Sequence, residues 1–153
     1  MSGEEKIKQE LIRVLSLSED KIVIPRERRI FVEVEFGNFS KAFDLCVNTL
    51  HFDSLCSLTG LDEGEKLAVM YHLAAADGTI LNLRTSVMKS DPRIKSVTGI
   101  FSSADVYERE LIDLLGFKVE GLAPGNRYPL TDDWPIDEHP LRKDWKMKPR
   151  AGK

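Results

Sequence analysis

The sequence predicts an α+β fold: a mostly antiparallel sheet with helices packed on it, followed by an extended C-terminal tail. Three observations carry that expectation. Apolar side chains recur at helical spacing in three separate stretches, and strand-like stretches lie between them, two of these joined by a tight turn. After Gly116 the periodicity stops, and five of the seven prolines fall between residues 117 and 153.

Taken in order, Ile7, Leu11, Val14 and Leu15 share one helical face, which gives an amphipathic helix over residues 4–17. "KIVIP" and "RIFVEVEF" follow as strands. In the second, Ile30, Val32, Val34 and Phe36 alternate with Arg29, Glu33 and Glu35, apart from apolar Phe31. Gly37-Asn38 breaks the pattern. "SKAFDLCVNTLHF" then returns to helical period, with Asn38 or Ser40 as N-cap. "SLCSLTG" reads as a strand, and "KLAVMYHLAAADGTILNLRTSVMK" as a hairpin turning at Asp77-Gly78. The first arm of that hairpin is apolar on both faces and belongs inside the sheet. A loop over residues 89–102 leads to a third helix, capped by Ser102 or Ser103 and closed by Gly116 in the left-handed position. The boundaries expected are a core domain over residues 1–120 and a docking tail over residues 121–153.

Composition narrows the function. A chain of 153 residues, 42% apolar and 31% charged, suits one domain with a real core. A net charge of −3 argues against nucleic acid as partner. From Arg142 to Lys153 there are six basic side chains and one acid, a cationic end suited to an acidic protein face or an anionic lipid surface, or simply to water. The first ten residues lack the apolar core of a signal peptide, and the longest largely apolar run, Leu67 to Ala76, is far short of the ~20 residues that span a bilayer. The expectation is a cytoplasmic chain that meets a membrane only through something else. Cys46 and Cys56 lie among apolar residues and read as buried thiols in a reducing compartment.

Redox centres find little to bind. Iron–sulfur clusters commonly take four cysteines and the chain has two. No GxGxxG opens a helix after a strand. No cofactor is therefore expected in the chain itself. Asp132, Asp133, Asp137, Glu138 and His139 could gather a hard cation for a small metal-dependent hydrolase, although a solvated acidic stretch is the simpler account. His72 alternates into the central strand and reads as a hydrogen-bonded core histidine.

The third helix and the tail hold the candidate surface. Ala104, Tyr107, Leu111 and Leu114 form the buried stripe, while Asp105, Arg109 and Asp113 recur every four residues on another face, with Glu108 and Glu110 adding acids. As solvated pairs these are worth about 0.3–0.5 kcal/mol each; as a preset array they dock a partner. The tail threads Phe117, Leu122, Tyr128, Leu130, Trp134, Ile136, Leu141 and Trp145 through polar sequence. Aromatics bury large areas when docked, so the tail reads as a strap whose anchors enter a neighbouring subunit and which is mobile when the chain is alone. Arg127, Trp134, Leu141, Arg142, Lys143, Asp144 and Trp145 complete the expected interface.

At these residues the sequence resembles the 30-kDa subunit family of respiratory complex I, its C-type subunit. The same family includes a small subunit of energy-converting membrane-bound nickel–iron hydrogenases. The resemblance rests on Ala104, the Glu108-Arg109-Glu110 triplet, Asp113 and Gly116, then on Pro140-Leu141-Arg142-Lys143-Asp144, within about the last third of the chain. It implies a non-catalytic subunit of the peripheral arm whose tail embraces the large hydrogenase-like subunit (the D-type subunit of complex I) beside iron–sulfur subunits. It implies that those partners carry the iron–sulfur clusters and, in the hydrogenase branch, a nickel–iron centre. Its place would be peripheral, on the cytoplasmic face of the membrane. Where complex I members continue with Gly-His-Pro and paired arginines, this chain reads "GLAPGNRYPL", with Arg127 its one basic residue. That departure points to the hydrogenase branch; the alternative is a true NADH:quinone enzyme or an archaeal-type ferredoxin- or deazaflavin-linked dehydrogenase.

Overall fold

The computed structural model describes residues 1–149. Helix α1 (Gly3–Leu15) opens at Ser2, whose hydroxyl accepts the Glu5 N–H, and buries Leu11 and Leu15. Strands β1 (Ile22–Arg26) and β2 (Arg29–Glu33) pair antiparallel. The second helical stretch is α2 (Phe39–Asp44), which loosens into a π turn over Leu45–Thr49. Strands β3 (Ser54–Asp62), β4 (Lys66–Ala74) and β5 (Ile80–Met88) complete a five-stranded sheet of order β1-β2-β5-β4-β3. Every neighbouring pair is antiparallel except β2 and β5. As its two-faced pattern predicts, β4 lies inside the sheet; Leu67, Ala68, Val69, Tyr71 and Leu73 are all buried.

The core fills one face of the sheet. Phe39 and Phe43 of α2 pack on Tyr71, with ring centroids 4.7 and 5.6 Å away. Helix α3 (Ala104–Leu115) lies over β3, and Gly60 permits the close approach. A Cβ there would fall 2.3 Å from Leu115 Cδ1 and 2.6 Å from Leu111 Cδ2. His72 is hydrogen-bonded as expected, Nδ1 2.6 Å from Asn82 Oδ1 and Nε2 2.8 Å from Thr59 Oγ1, but it is half-buried and stands outside the core cluster, beside exposed Thr59.

Three local expectations are corrected. The segment over residues 89–102 is not all loop, because β6 (Arg93–Lys95) pairs parallel with β7 (Lys118–Glu120) just after α3. Three residues are too few for alternation to register in a sequence. Cys56 is exposed, at a register irregularity between Leu55 and Ser57 where alternation fails. Cys46 is buried as expected, and desolvation pushes its thiol up to about 12. Ser103 occupies the N-cap of α3 without a side-chain bond to the helix.

Candidate functional site: the outer face of α3 and the tail

Glu108 was expected among the outward acids, and the structure corrects this: it is wholly buried. It follows Ala104 by one turn and precedes Leu111 and Leu115 on the inward stripe, a periodicity visible in the sequence. Its Oε1 accepts the Val97 N–H at 2.7 Å and its Oε2 the Ser96 hydroxyl at 2.7 Å. Burial raises its carboxyl, and those two donors oppose the rise. Glu108 therefore staples the segment after β6 to α3 and presents no side-chain surface to the outside.

Arg109 pairs with only one of its two flanking acids. Its Nε lies 2.7 Å from Asp105 Oδ1 and its Nη2 3.0 Å from Oδ2, and Nη2 also donates to the Ala123 carbonyl at 2.8 Å. The hydrogen-bonded Arg109 guanidinium holds the Asp105 carboxyl below its usual range. Asp113, expected beside Arg109 in the charge array, turns instead to the tail. Only 6% of its side chain is exposed. It accepts Arg127 Nε at 3.3 Å and the Leu130 N–H at 3.0 Å, because residues 127–130 cross this part of the helix. Glu110 is half-buried and makes no polar contact among the described residues.

The tail satisfies the end of α3. The last carbonyls of a helix have no partner within it, and here a segment some two dozen residues onward supplies the donors. His139 Nδ1 donates to the Asp113 carbonyl at 2.9 Å, the Leu141 N–H to Leu114 at 3.0 Å, and Arg142 Nε to Leu115 at 2.6 Å. Arg142 thereby also places a cation at the negative end of the helix. Gly116 turns out of α3 at φ 76°, and a Cβ there would meet His139 Cδ2 at 2.6 Å and Arg142 Nη2 at 2.8 Å.

Sequence reasoning overlooked two anchors. Asp62, at the end of β3, accepts the Lys143 N–H at 2.7 Å, the Gly64 N–H at 2.9 Å and the Lys89 ammonium at 2.7 Å. Burial alone would raise its carboxyl; Lys89 and the two N–H donors outweigh that and hold it at about 2. Asp144 lies 3.8 Å from the same Lys89. Glu138 is the other anchor. Its carbonyl accepts Trp134 Nε1 at 2.8 Å, its carboxylate accepts Trp145 Nε1 at 3.2 Å, and Lys148 pairs with it. The two indoles tilt together at 5.8 Å and remain half-buried. The local Asp62–Gly64 turn gives no hint of the latch; the partners that make it one lie 27 and 81 residues on in the chain.

The acidic run is thus dispersed: Glu138 holds the indoles, His139 caps α3, and Asp132 and Asp137 face solvent. Among the described residues no three His, Cys, Asp or Glu side chains gather at metal-binding spacing. The tail is irregular, as expected, but residues 127–143 are tied to their own domain. Apolar side chains of the tail also stay outside: Tyr128 is 46% exposed, Ile136 85%, Leu141 57% and Met147 80%. Lys143, Asp144, Lys146 and Lys148 are also exposed, whereas Arg142 is spent on the helix end. The last part of the expected cationic end, residues 150–153, lies outside the described residues. No helix among the described residues is long and apolar enough to cross a membrane.

Comparison with known proteins places this arrangement. The family described as "Respiratory-chain NADH dehydrogenase, 30 Kd subunit" matches residues 25–151. The C-type subunit of the NADH-quinone oxidoreductase of Chloroherpeton thalassium is 39% identical over 102 residues, 65% of this chain and 42% of that protein. The C-type subunit of the F(420)H(2) dehydrogenase of Methanosarcina mazei is 32% identical over 140 residues, 88% of this chain and 85% of its own length. Among solved structures, a chain of the membrane-bound sulfane sulfur reductase, an archaeal respiratory membrane complex, superposes with a TM-score of 0.81 at 25% identity, over 95% of this chain and 86% of that one. A trypsin-resistant fragment of Nqo5 gives 0.67 at 25% identity, over 80% of this chain and 99% of the fragment.

Proposed function

The chain belongs to the family of the 30 Kd subunit of respiratory-chain NADH dehydrogenase, and on that premise we propose that it is a non-catalytic subunit of a complex I-like oxidoreductase. It docks through the outer face of α3 and the tail onto the large, hydrogenase-like subunit. The observation that carries this reading is the tail itself. Hydrogen bonds from Leu130, His139, Arg142 and Lys143 tie it to its own domain, while Tyr128, Ile136, Leu141 and Met147 stand in water. Apolar anchors on a pre-ordered frame are what a protein interface uses, since little ordering entropy remains to be lost on binding.

Electrons then pass through partner subunits that carry the iron–sulfur clusters. The chain adds buried area and orientation, bears no redox centre of its own, and reaches the cytoplasmic face of the membrane as part of the complex. Within this class the "GLAPGNRYPL" segment supports the hydrogenase branch, whose large subunit holds a nickel–iron centre. A second reading, a deazaflavin-linked dehydrogenase, is favoured by the Methanosarcina mazei F(420)H(2) dehydrogenase relative, which matches over most of both chains. Purification of the native complex tests both levels. Co-purification with a large subunit bearing nickel-ligating cysteines supports the hydrogenase branch, and a large subunit without them the second reading. Recovery of the chain with no membrane or iron–sulfur subunit overturns the proposal.

A further inference from the structure

We propose that the outer edge of β3 receives a sixth strand, a single extended segment from a neighbouring subunit, so that assembly prolongs the sheet along an edge that the tail touches at the Asp62 side chain. The backbone geometry of β3 sets this up. The Glu63 N–H donates to the Lys66 carbonyl at 2.9 Å, which marks Glu63 and Lys66 as a hydrogen-bonded pair. In an antiparallel ladder such pairs alternate, so Leu61, Thr59 and Ser57 bond inward to Ala68, Met70 and His72. Leu58, Gly60 and Asp62 therefore aim their N–H and C=O groups away from the sheet. Among the described residues no hydrogen bond meets those outward groups. Gly60 is half-exposed and is all backbone. Asp62 is half-exposed although its side chain is only 2% exposed, so its accessible surface is main chain.

The two edges of the sheet differ in how they are guarded. At the far edge β1 is five residues long, contains Pro25, ends in Arg26 and breaks register between Val23 and Arg26. Those are the devices that prevent strand addition. Strand β3 is nine residues long and has no Pro, Lys or Arg; its one charge, Asp62, is its last residue. The irregularity between Leu55 and Ser57 leaves Ser57–Asp62 as an unbroken, uncharged-until-the-end run. A row of backbone donors and acceptors at this spacing is matched by another extended backbone.

The occupant is a partner segment and not a second copy of this chain. Helix α3 lies over β3, with Leu111 and Leu115 against Gly60. Paired strands are about 4.8 Å apart, whereas packed helices need about 8–10 Å between axes. Two copies joined β3 to β3 would bring both α3 helices to the same face and force them into one another. A lone strand carrying no helix on that face fits. Its paired stretch is uncharged, to match Ser57–Leu61, and its side chains on the open face lie beside Thr59 and Leu61, both exposed.

Amide hydrogen exchange of the full chain, alone and within the purified native membrane complex, tests this. The Gly60 and Asp62 amides are expected to exchange freely in the isolated chain and at least ~100-fold more slowly in the complex. Rates equal in both states overturn the proposal, and so does an isolated chain that dimerises with those amides already protected. As an independent check, Leu61→Lys places a guard charge on an exposed side chain. It should leave the unfolding midpoint of the free chain unchanged and lower its retention in the complex at least tenfold. Full retention sinks the edge proposal while leaving the tail interface standing.

Discussion

Arg127 and Asp113 meet from positions 14 residues apart, the guanidinium Nε 3.3 Å from Oδ1, with 19% and 6% of their side chains exposed. The same guanidinium donates from Nη1 to the Trp134 carbonyl at 2.7 Å. One arginine thus joins the helix, the first crossing of the tail and the indole cluster.

Asp113→Ala removes the acceptor of both Arg127 and the Leu130 N–H and leaves a largely buried cation unpaired. The expected loss is about 3 kcal/mol, read as a lower urea midpoint of the full chain. A change below about 0.5 kcal/mol would mean that solvent holds Arg127 just as well.

Gly116→Ala should cost at least about 1 kcal/mol from the left-handed backbone alone. Its methyl also displaces His139 and Arg142. Tryptophan fluorescence should shift to the red as the tail loosens, while the far-ultraviolet dichroism of the core stays unchanged.

Acid should release the tail before it unfolds the core. Asp62 is held at about 2, below its usual value of 3.8, so its contribution is complete above that usual value and disappears as pH falls through about 2. The Glu138 carboxyl is also lowered, by Lys148 and then by Trp145, and acts in the same direction. A titration from about pH 5 to about pH 1.5 should show an indole transition that Asp62→Asn removes in part. A transition identical in that variant would exclude Asp62 as the latch.

Ile136→Asp and Leu141→Asp change exposed side chains and should leave stability within about 0.5 kcal/mol. Retention in the complex should drop at least tenfold for the pair. Normal assembly by the double variant would remove the tail from the interface.

Arg142→Ala takes both the Leu115 acceptor's donor and the helix-end cation, and its effect on assembly should run through the free chain. The expected outcome is a loss of about 1–2 kcal/mol in the folding of the isolated protein, together with weaker partner binding. Weaker binding at unchanged stability would return Arg142 to direct contact with the partner.

Much of this protein can be read along the chain. The α+β class, the Asp77-Gly78 hairpin, the interior place of β4 and the Gly116 stop all follow from rules that act within a few residues: periodicity, turn chemistry and the freedom of glycine at positive φ. What the sequence left open was decided by contacts between distant segments. Glu108 and Glu110 are two residues apart and chemically alike, yet one staples a loop inside the fold and the other has no polar partner among the described residues. Asp113 has the spacing of a partner for Arg109 and is taken by Arg127, and Asp62 shows locally only a turn contact to Gly64. Charge and period fix which residues can pair, but a carboxylate's partner is set by which donors the packed chain brings within about 3 Å, and that distance exists only after the tail has closed over α3.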